Sequence, residues 1–377
     1  MTPSWSLVCG LCGAASPNQE AAACGACGGP SVVRYEPHAG SRVDETASGI
    51  WRYRAWLPLA AGDRTVSLGE GHTPLVRLDR WARQFGLEQV YAKLEYAGPT
   101  GSFKDRGAAM LVSHALSLGI GSIVEDSSGN AGAAIAAYSA RAGLECRIFA
   151  PATAPPAKLR QARAYGAGLT RIEGSRRDVE QAARTAALAA DVYYAGHNDN
   201  PYFVEGTKTF AFELAEAFEG RRPDHVVLPV GGGSLFVGAA LGFRQRLGAR
   251  PRLHLAQASA CAPLVAAFRA GSEQPLPVQR TRTVAGGIEI ESPARGALIL
   301  RLLRESGGTA VAVEEEEILR AQRQLASMEG VFMEPTSAAA FAGLSRLAAA
   351  GVVRSDERIV VAVTGAGLKD AEIVDAW

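Results

Sequence analysis

The chain alternates short apolar runs with segments of helical periodicity along most of its length. Apolar runs predict strands at residues 123–124, 147–150, 169–172, 226–228, 253–256 and 358–363. Helical patterns occupy residues 131–142, 176–190 and 235–247, Gly143 is a stop signal, and Pro155 with Pro156 opens a further helix. Alternating strands and helices imply a parallel sheet with helices on both faces. The pattern therefore predicts an α/β fold.

Glycines cluster where apolar runs give way to helical segments. Of the 42 glycines, the main groups lie at residues 98–101, 127–130, 231–234 and 364–367. Ordinary turns would explain one such cluster, but repeated clusters in this context indicate close approach of the backbone to a ligand. Strand–loop–helix units of this kind bind anions at the helix N-terminus. The 231–234 loop lacks the lysine of a nucleotide-binding P-loop, and residues 127–132 do not match the dinucleotide fingerprint, so another phosphorylated ligand is expected.

Composition and charge exclude several classes of protein. The 377 residues suffice for two domains and a small appendage, with 47% apolar and 20% charged residues. A net charge of +1 gives no overall attraction to nucleic acid or to a membrane surface. The N-terminus does not resemble a signal peptide, and no apolar run reaches the ~18 residues of a membrane span. Cytoplasmic residence is expected.

Four of the six cysteines form two C-x-x-C pairs near the N-terminus, Cys9 with Cys12 and Cys24 with Cys27, separated by 11 residues. This spacing predicts a zinc ribbon in which four thiolates hold a structural Zn²⁺ with no open coordination position. Metal binding would supply ~10 kcal/mol or more of the folding energy of so small a unit. Disulfides are disfavoured in a cytosolic chain, and a redox C-x-x-C would not need a second pair. The remaining cysteines are expected in the core: Cys146 and Cys261.

The segment around Lys104 carries a family resemblance. Residues 98–107 read GPTGSFKDRG and resemble the lysine segment of threonine synthase, one of the fold-type II pyridoxal-5′-phosphate (PLP) enzymes. Six further motifs stand in the order of that family, at residues 73–75 (TPL), 127–130 (SSGN), 205–206 (EG), 231–234 (GGGS), 334–338 (EPTSA) and 364–370 (TGAGLKD). The similarity covers residues 65–370, and a subset of the family carries a zinc ribbon in front.

The resemblance assigns a role to each matching residue. Lys104 is expected to form a Schiff base with PLP and to act as acid and base at Cα of the substrate. The other implied contacts are Phe103 on the pyridine ring, Asn130 on its phenolic oxygen, Gly231, Gly232, Gly233 and Ser234 on the phosphate, Thr364 on the pyridine nitrogen, and Ser127 and Ser128 on the substrate carboxylate. The neutral hydroxyl of Thr364 suits elimination and replacement more than transamination, again as an implication of the resemblance.

The chain also departs from the threonine synthase pattern. Phe203 stands where an arginine is expected for the substrate phosphate, and the 231–234 loop is closer to that of threonine and serine dehydratases. Further departures are Ala131 and Ala366. Because a phosphate dianion needs charged donors, these changes put a phosphorylated substrate in doubt. A substitute polar patch could come from His197, Asn198 and Lys208, although His197 could equally be an ordinary loop histidine.

The sequence therefore predicts a PLP-dependent lyase that acts on an amino acid by β/γ-elimination or replacement, with O-phosphohomoserine or a related amino acid as substrate. One alternative is an ammonia-lyase of the threonine or serine dehydratase type. Another is a non-catalytic protein that binds a partner through its zinc ribbon, which the intact Lys104, Asn130 and Thr364 disfavour.

The expected architecture has two doubly wound, parallel-sheet domains behind the ribbon. The ribbon spans residues 1–40, the large PLP-binding domain residues 41–106 and 201–377, and a small mobile domain residues 107–200. PLP is expected in the crevice between the two domains. Members of this fold are commonly homodimers, and a homodimer is expected here.

Overall fold

The computed structural model describes residues 5–18, 20–35, 42–154, 156–190 and 192–377, with the backbone alone for residues 156–158 and 376. Its strands are β1 (Trp5–Cys9), β2 (Ser31–Tyr35), β3 (Leu75–Arg77), β4 (Gln89–Lys93), β5 (Ser122–Glu125), β6 (Glu145–Pro151), β7 (Gly168–Ile172), β8 (Tyr193–Tyr194), β9 (His225–Pro229), β10 (Arg252–Ala258), β11 (Ala310–Val313) and β12 (Arg358–Ala362).

The α-helices are α1 (Asp79–Arg83), α2 (Lys104–Ser117), α3 (Asn130–Ala142), α4 (Pro156–Ala164), α5 (Arg176–Ala190), α6 (Pro201–Thr207), α7 (Thr209–Ala217), α8 (Ser234–Leu247), α9 (Pro263–Arg269), α10 (Gly296–Glu305), α11 (Glu315–Glu329) and α12 (Pro335–Ala349). Short 3-10 helices lie at Gly49–Trp56, Glu95–Ala97, Ser259–Cys261, Gly286–Ile288 and Gly367–Ala376. None of the helices in the described part of the chain is both long and apolar enough to cross a membrane.

The chain folds into two compact units. The first unit comprises residues 1–72 and 98–209, and the second comprises residues 73–97 and 210–377. The domains expected from the sequence have other boundaries, with a small mobile domain at residues 107–200, and they remain a prediction.

The first unit is built on a four-stranded parallel sheet in the order β7-β6-β5-β8. Helices α2 and α3 pack on it through an apolar core that includes Ile123, Ile135 and Ile148, all fully buried. Helix α3 is rich in alanine and ends at Gly143, whose φ of 76° is the left-handed conformation that favours glycine. The loop that follows β5 carries the 127–130 motif and leads into α3.

The N-terminal ribbon belongs to the first unit. Strands β1 and β2 pair antiparallel, with Trp5 opposite Tyr35. The Trp5 ring packs edge-on against Tyr202 at 5.6 Å between centroids. Trp51 and Tyr53 are buried in the 3-10 helix of residues 49–56.

The second unit has a six-stranded sheet in the order β11-β10-β9-β12-β4-β3. Its strands are parallel except for the β3–β4 pair, which is antiparallel. Its core centres on α12, where the Phe341 ring meets Trp81 edge-on at 5.4 Å. The parallel sheets of both units confirm the predicted α/β class.

The predicted elements agree closely with the observed ones. Helix α5 has the predicted bounds. Each predicted strand lies inside an observed strand, except that the last one extends one residue past the end of β12. Pro155 lies outside the described residues, and α4 begins at Pro156. In the acidic run 314–317, Glu314 caps α11 and the next three residues form its first turn; the Glu314 backbone N–H donates to the Glu317 carboxylate at 2.7 Å. Cys146 and Cys261 are buried, as expected.

Candidate active site

Lys104 is the first residue of α2. The side chain of the following residue, Asp105, holds the loop that precedes the helix. The Asp105 carboxylate accepts from the Thr100 backbone N–H at 3.0 Å and from its hydroxyl at 2.7 Å. A Cβ on Gly98 would lie 2.5 Å from Asp105 Oδ2, so only glycine fits there. Asp105, which sequence reasoning did not single out, therefore fixes the loop that presents Lys104.

The Lys104 ammonium lies near two aromatic rings. Its Nζ is 4.8 Å from the ring centroid of Phe103 and 5.5 Å from that of Phe203. Phe203 is fully buried, and a Cβ on Gly107 would lie only 2.4 Å from its ring. Glycine at position 107 thus lets the Phe203 ring lie directly against α2, one turn beyond the lysine. Phe203, the residue that departs most clearly from the threonine synthase pattern, is therefore a neighbour of Lys104.

The 127–130 loop connects β5 to α3 in the same unit. The Gly129 backbone N–H donates to Ser127 Oγ at 3.3 Å, and Asn130 is the first residue of α3. A Cβ on Gly132 would lie 1.9 Å from the Ser127 carbonyl oxygen, so the loop folds back closely over the helix. Ser127, Ser128 and Asn130 are half-buried, which leaves them accessible to a ligand.

Two polar contacts of buried carboxyl groups flank this loop, and neither was found from the sequence. His197 Nδ1 lies 2.8 Å from Glu125 Oε1, and Arg176 lies 2.7 Å from Asp126 Oδ2. Burial raises the pKa of Glu125 to about 8, against the opposing charges of Arg176 and Lys104. Burial also raises the pKa of Asp126, and the neighbouring Glu125 adds to that shift.

The Glu205-Gly206 motif has a structural explanation. A Cβ on Gly206 would lie 2.0 Å from the Arg106 carbonyl oxygen, so the glycine allows α6 to approach α2. The buried Glu205 carboxylate accepts from Lys208 Nζ and from the Tyr35 hydroxyl. The sequence allowed Lys208 to be part of a substitute phosphate-binding patch. In the structure its ammonium is buried and donates to the Glu205 carboxylate.

In the second unit, the 231–234 loop leads from β9 into α8. Gly233 has φ +79°, and a Cβ there would lie 2.2 Å from the Ile299 side chain. A Cβ on Gly231 would lie 2.9 Å from the Ile288 backbone, while Gly232 is half-buried and Ser234 begins the helix. The first N–H groups of a helix lack intrahelical acceptors, so this close-packed glycine turn is suited to a phosphate.

Thr364 lies in the second unit at the end of β12, where two of the sequence motifs meet. Its hydroxyl is 2.9 Å from the Ser337 hydroxyl and donates to the Glu334 carboxylate at 3.3 Å. A Cβ on Gly365 would lie 2.3 Å from that carboxylate, so glycine is required beside it. Residues 334–338 thus meet Thr364 and Gly365 in one buried cluster that contains the Ser337 and Thr364 hydroxyls.

The four N-terminal cysteines come together in the ribbon. Their sulfur atoms lie within 4.8 Å of one another, with Cys9 Sγ 3.4 Å from Cys27 Sγ and Cys12 Sγ 3.7 Å from Cys24 Sγ. A tetrahedral ion with metal–sulfur bonds of about 2.3 Å would place sulfurs about 3.8 Å apart, whereas a disulfide requires about 2.05 Å. Burial raises the pKa of Cys9, but backbone N–H groups of Cys12 and Leu11 outweigh it and lower the value to about 6. The sulfur distances fit a tetrahedral metal ligand set.

The comparison with protein families shows which family the chain belongs to. The family model described as pyridoxal-phosphate dependent enzyme matches residues 66–365. The chain belongs to this family. In the first unit, Lys104 beside two aromatic rings is suited to an aromatic aldehyde, and in the second unit the glycine turn at 231–234 is by itself suited to a phosphate; each set of residues is compatible with the corresponding group of PLP.

Relatives within this family narrow the chemistry. The chain is 38% identical to a threonine synthase of Methanocaldococcus jannaschii over 330 residues, 86% of this chain and 81% of that protein. It is 37% identical to a threonine synthase of Methanosarcina acetivorans over 382 residues, 98% of this chain and 93% of that protein. The chain is a PLP-dependent, threonine synthase-like lyase.

A solved structure agrees with the fold. The processed form of threonine deaminase isoform 2 from Solanum lycopersicum superposes with a TM-score of 0.70 at 22% identity, covering 80% of this chain and 82% of that one. At this identity the likeness concerns the fold alone, and it supports the fold-type II class predicted from the sequence.

Proposed function

We propose that this PLP-dependent lyase acts on a small amino acid by β/γ-elimination or replacement, and that conversion of O-phosphohomoserine to threonine is its first candidate reaction. The relatives that carry the name threonine synthase support this reaction. The observation that carries the proposal in the structure is the setting of Lys104, held at the start of α2 by Asp105 and close to two phenyl rings.

Lys104 would hold the cofactor covalently and would take the proton from Cα of the substrate. PLP, when bound, supplies an electron sink for the carbanion at Cα. Phe103 would pack against the cofactor ring, and Asn130 would donate to its phenolic oxygen. Ser127 and Ser128 would orient the substrate by donating to its carboxylate.

The second unit would hold the remaining groups of the cofactor. Gly231, Gly232, Gly233 and Ser234 would donate backbone N–H groups to its phosphate. The Thr364 hydroxyl would face the ring nitrogen, and its bonds to Ser337 and Glu334 support a fixed orientation. A neutral hydroxyl does not force protonation of that nitrogen, which favours elimination and replacement over transamination.

A second candidate, an ammonia-lyase acting on threonine or serine, is favoured by Phe203. This side chain is fully buried and lies beside Lys104, where the synthase pattern leads us to expect an arginine for a phosphate dianion. A phenyl ring offers no charged donor to a phosphate, but it can line a pocket for a small unphosphorylated substrate.

Cofactor attachment can be tested directly. The purified enzyme is expected to show the visible absorbance of a lysine-bound cofactor, and borohydride reduction followed by peptide mapping should label Lys104 alone among the five lysines. Lys104→Ala should lose this absorbance. An unchanged spectrum in Lys104→Ala would disprove the assignment of this lysine.

A substrate panel chooses between the two candidate reactions. The enzyme is incubated separately with O-phosphohomoserine, L-threonine and L-serine. Release of inorganic phosphate together with threonine supports the synthase reaction. Release of ammonia with a 2-oxo acid supports the lyase reaction, and turnover of none of them removes both candidates.

We also propose that Cys9, Cys12, Cys24 and Cys27 hold one structural Zn²⁺. Their mutual sulfur distances support a tetrahedral site. Metal analysis should find one zinc per chain, and a Cys9→Ser variant with full zinc content would contradict the proposal.

Cytoplasmic residence and assembly as a homodimer complete the proposal. The homodimer is proposed because members of this fold are commonly dimers, and cytoplasmic residence is proposed as the default expectation for this family. Light scattering of the purified protein measures the assembly, and a monomeric mass would remove the dimer from the proposal.

A further inference from the structure

The N-terminal ribbon contacts the short helix that carries Phe203. Trp5, in β1, packs edge-on against Tyr202 with 5.6 Å between the ring centroids. At the end of β2, the Tyr35 hydroxyl donates to the Glu205 carboxylate. Both partners belong to α6, which is seven residues long. Because a helix this short has little stability of its own, its tertiary contacts decide where it lies and how it is rotated.

Helix α6 presents one face to the ribbon and a neighbouring face to α2. Tyr202 and Glu205 are three positions apart and share the face that the ribbon contacts. Phe203 and Gly206 are also three positions apart, and they share the face that meets α2, where a Cβ on Gly206 would lie 2.0 Å from the Arg106 carbonyl oxygen. A rotation of α6 away from the ribbon would therefore also move the Phe203 ring.

The Tyr35 hydroxyl makes a polar link between β2 and α6. Besides donating to Glu205, it accepts from Lys208 Nζ at 3.2 Å, and the same Nζ lies 4.4 Å from the centroid of the Tyr35 ring. Hydrogen bonds to charged groups are stronger and more directional than those between neutral groups. A hydroxyl placed between a buried carboxylate and a buried ammonium therefore holds the end of β2 against α6 in one geometry.

Trp5 makes the apolar link. The Tyr202 ring stacks on His114 of α2 with 3.4 Å between centroids, and Trp5 lies edge-on to both rings, 6.3 Å from that of His114. Tyr202 is fully buried between the ribbon and α2. Aromatic pairs of this kind contribute more than the burial of their area alone. Without Trp5, the side of the Tyr202 ring that faces the ribbon would lose its packing.

The other face of α6 leads to Lys104. The Lys104 Nζ lies 5.5 Å from the centroid of the Phe203 ring, which is fully buried. A cation within about 6 Å of an aromatic ring is stabilised by the electrons of the ring face. The position of the Phe203 ring therefore affects the proton affinity of the nitrogen at Lys104.

We propose that Trp5 and Tyr35 are positioning residues of the active site, because they hold α6 in the orientation that places the Phe203 ring beside Lys104. The inference rests on the proposed function, in which Lys104 binds the cofactor, and it gives the ribbon a part in that function. Both residues act through α6 and not by contact with the cofactor. Unfolding of the ribbon should affect the active site by the same route.

A pH titration of the cofactor absorbance tests the inference in the PLP-loaded enzyme. Its midpoint reports protonation of the nitrogen that joins Lys104 to the cofactor. Tyr35→Phe removes the hydroxyl and keeps the ring, whereas Trp5→Ala removes the contact with Tyr202. Each variant should lower the midpoint by about half a pH unit or more, because the protonated nitrogen loses stabilisation by the Phe203 ring. Trp5→Phe keeps an aromatic ring in place and should retain most of the original midpoint.

Further variants separate an effect through Phe203 from a general loss of stability. Phe203→Leu should itself lower the midpoint, and adding Tyr35→Phe to it should lower the midpoint no further, because the ring through which Tyr35 acts is gone. Arg34→Ala changes an exposed neighbour of Tyr35 in β2 and should leave the midpoint unchanged. Leu159→Ala removes a buried side chain of α4 from a different core cluster, and it should lower stability without moving the midpoint.

Each result has a defined meaning. An unchanged midpoint in both Tyr35→Phe and Trp5→Ala overturns the inference, as does a fully additive shift in the double variant or an equal shift in Leu159→Ala. A chelator-treated enzyme whose ribbon is open to proteolysis but whose midpoint is unchanged overturns it as well. In all these cases the cofactor is bound at Lys104 and the proposed function stands. Absence of any cofactor absorbance in the unaltered, PLP-treated enzyme overturns the proposed function itself.

Discussion

Replacing Lys208 by methionine should destabilise the first unit strongly, because it would leave a buried carboxylate without its cation. Lys208 and Glu205 are each 1% exposed. Lys208 Nζ donates to the Glu205 carboxylate, to the Trp56 carbonyl at 2.9 Å and to the Tyr35 hydroxyl at 3.2 Å. Burial lowers the pKa of Lys208, and the charge of Glu205 opposes that shift.

The magnitude follows from the fate of each partner. Methionine matches the length of lysine, so loss of packing is small, while the Glu205 carboxylate loses its cation and retains the bond from the neutral Tyr35 hydroxyl. Removing one member of a buried ion pair costs about 3–5 kcal/mol of unfolding free energy. The double variant Glu205→Leu/Lys208→Met removes both charges and should recover most of that loss, less about 1–3 kcal/mol for the lost hydrogen bond to the Trp56 carbonyl.

Urea denaturation followed by tryptophan fluorescence measures these differences. Three tryptophans, Trp5, Trp51 and Trp56, report on the first unit. The single variant should lower the denaturation midpoint without changing the slope of the transition. A single variant within about 1 kcal/mol of the unaltered protein, or a double variant no more stable than the single one, would refute the reasoning that an uncompensated charge dominates.

Three further predictions concern the ribbon, the substrate loop and Glu125. Removing zinc with a chelator, or by Cys9→Ser, should unfold the ribbon and increase its proteolysis, and an equally resistant ribbon would contradict the metal site. Gly132→Ala places a Cβ 1.9 Å from the Ser127 carbonyl oxygen and should destabilise by about 1–3 kcal/mol, whereas Gly129→Ala, with open space around its Cβ, is the control expected within about 0.5 kcal/mol by the same urea assay. Because the pKa of Glu125 in the folded protein is about 8 against an ordinary value of 4.5, the folded protein keeps a proton that the unfolded chain has lost, so stability should fall as pH rises from about 4.5 to about 8. Glu125→Gln should flatten that slope in denaturation measured across this pH range.

Local signals in the sequence predicted much of the fold. Strands and helices followed from periodicity, because each element buries one face at a fixed spacing. Helix α3 and its end at Gly143 are examples, since the stop depends on a left-handed backbone that glycine adopts readily. The cysteine cluster was predictable for the same reason, because its spacing is a local property.

Contacts between distant segments of the chain could not be predicted from the sequence. Glu205 reads as part of a family motif, but its bond to Tyr35, 170 residues away, shows only in the folded unit. Glu125 and His197 are 72 residues apart, and no spacing rule connects a strand end to a loop that far along the chain. The sequence identified the departure at Phe203, but the packing of this ring against Gly107 depends on how α6 crosses α2.

The departure at Phe203 and the buried carboxyl groups are better understood together than separately. Phe203 occupies a place where the synthase pattern would put a cation, while Glu125 and Asp126 bring carboxylates to the loop beside it. Loss of the arginine removes a charged donor for a phosphate dianion, and the two carboxyl groups, whose pKa values are raised by burial, supply none in its place. A neutral hydroxyl needs no such donor, so both features favour the second candidate function proposed above.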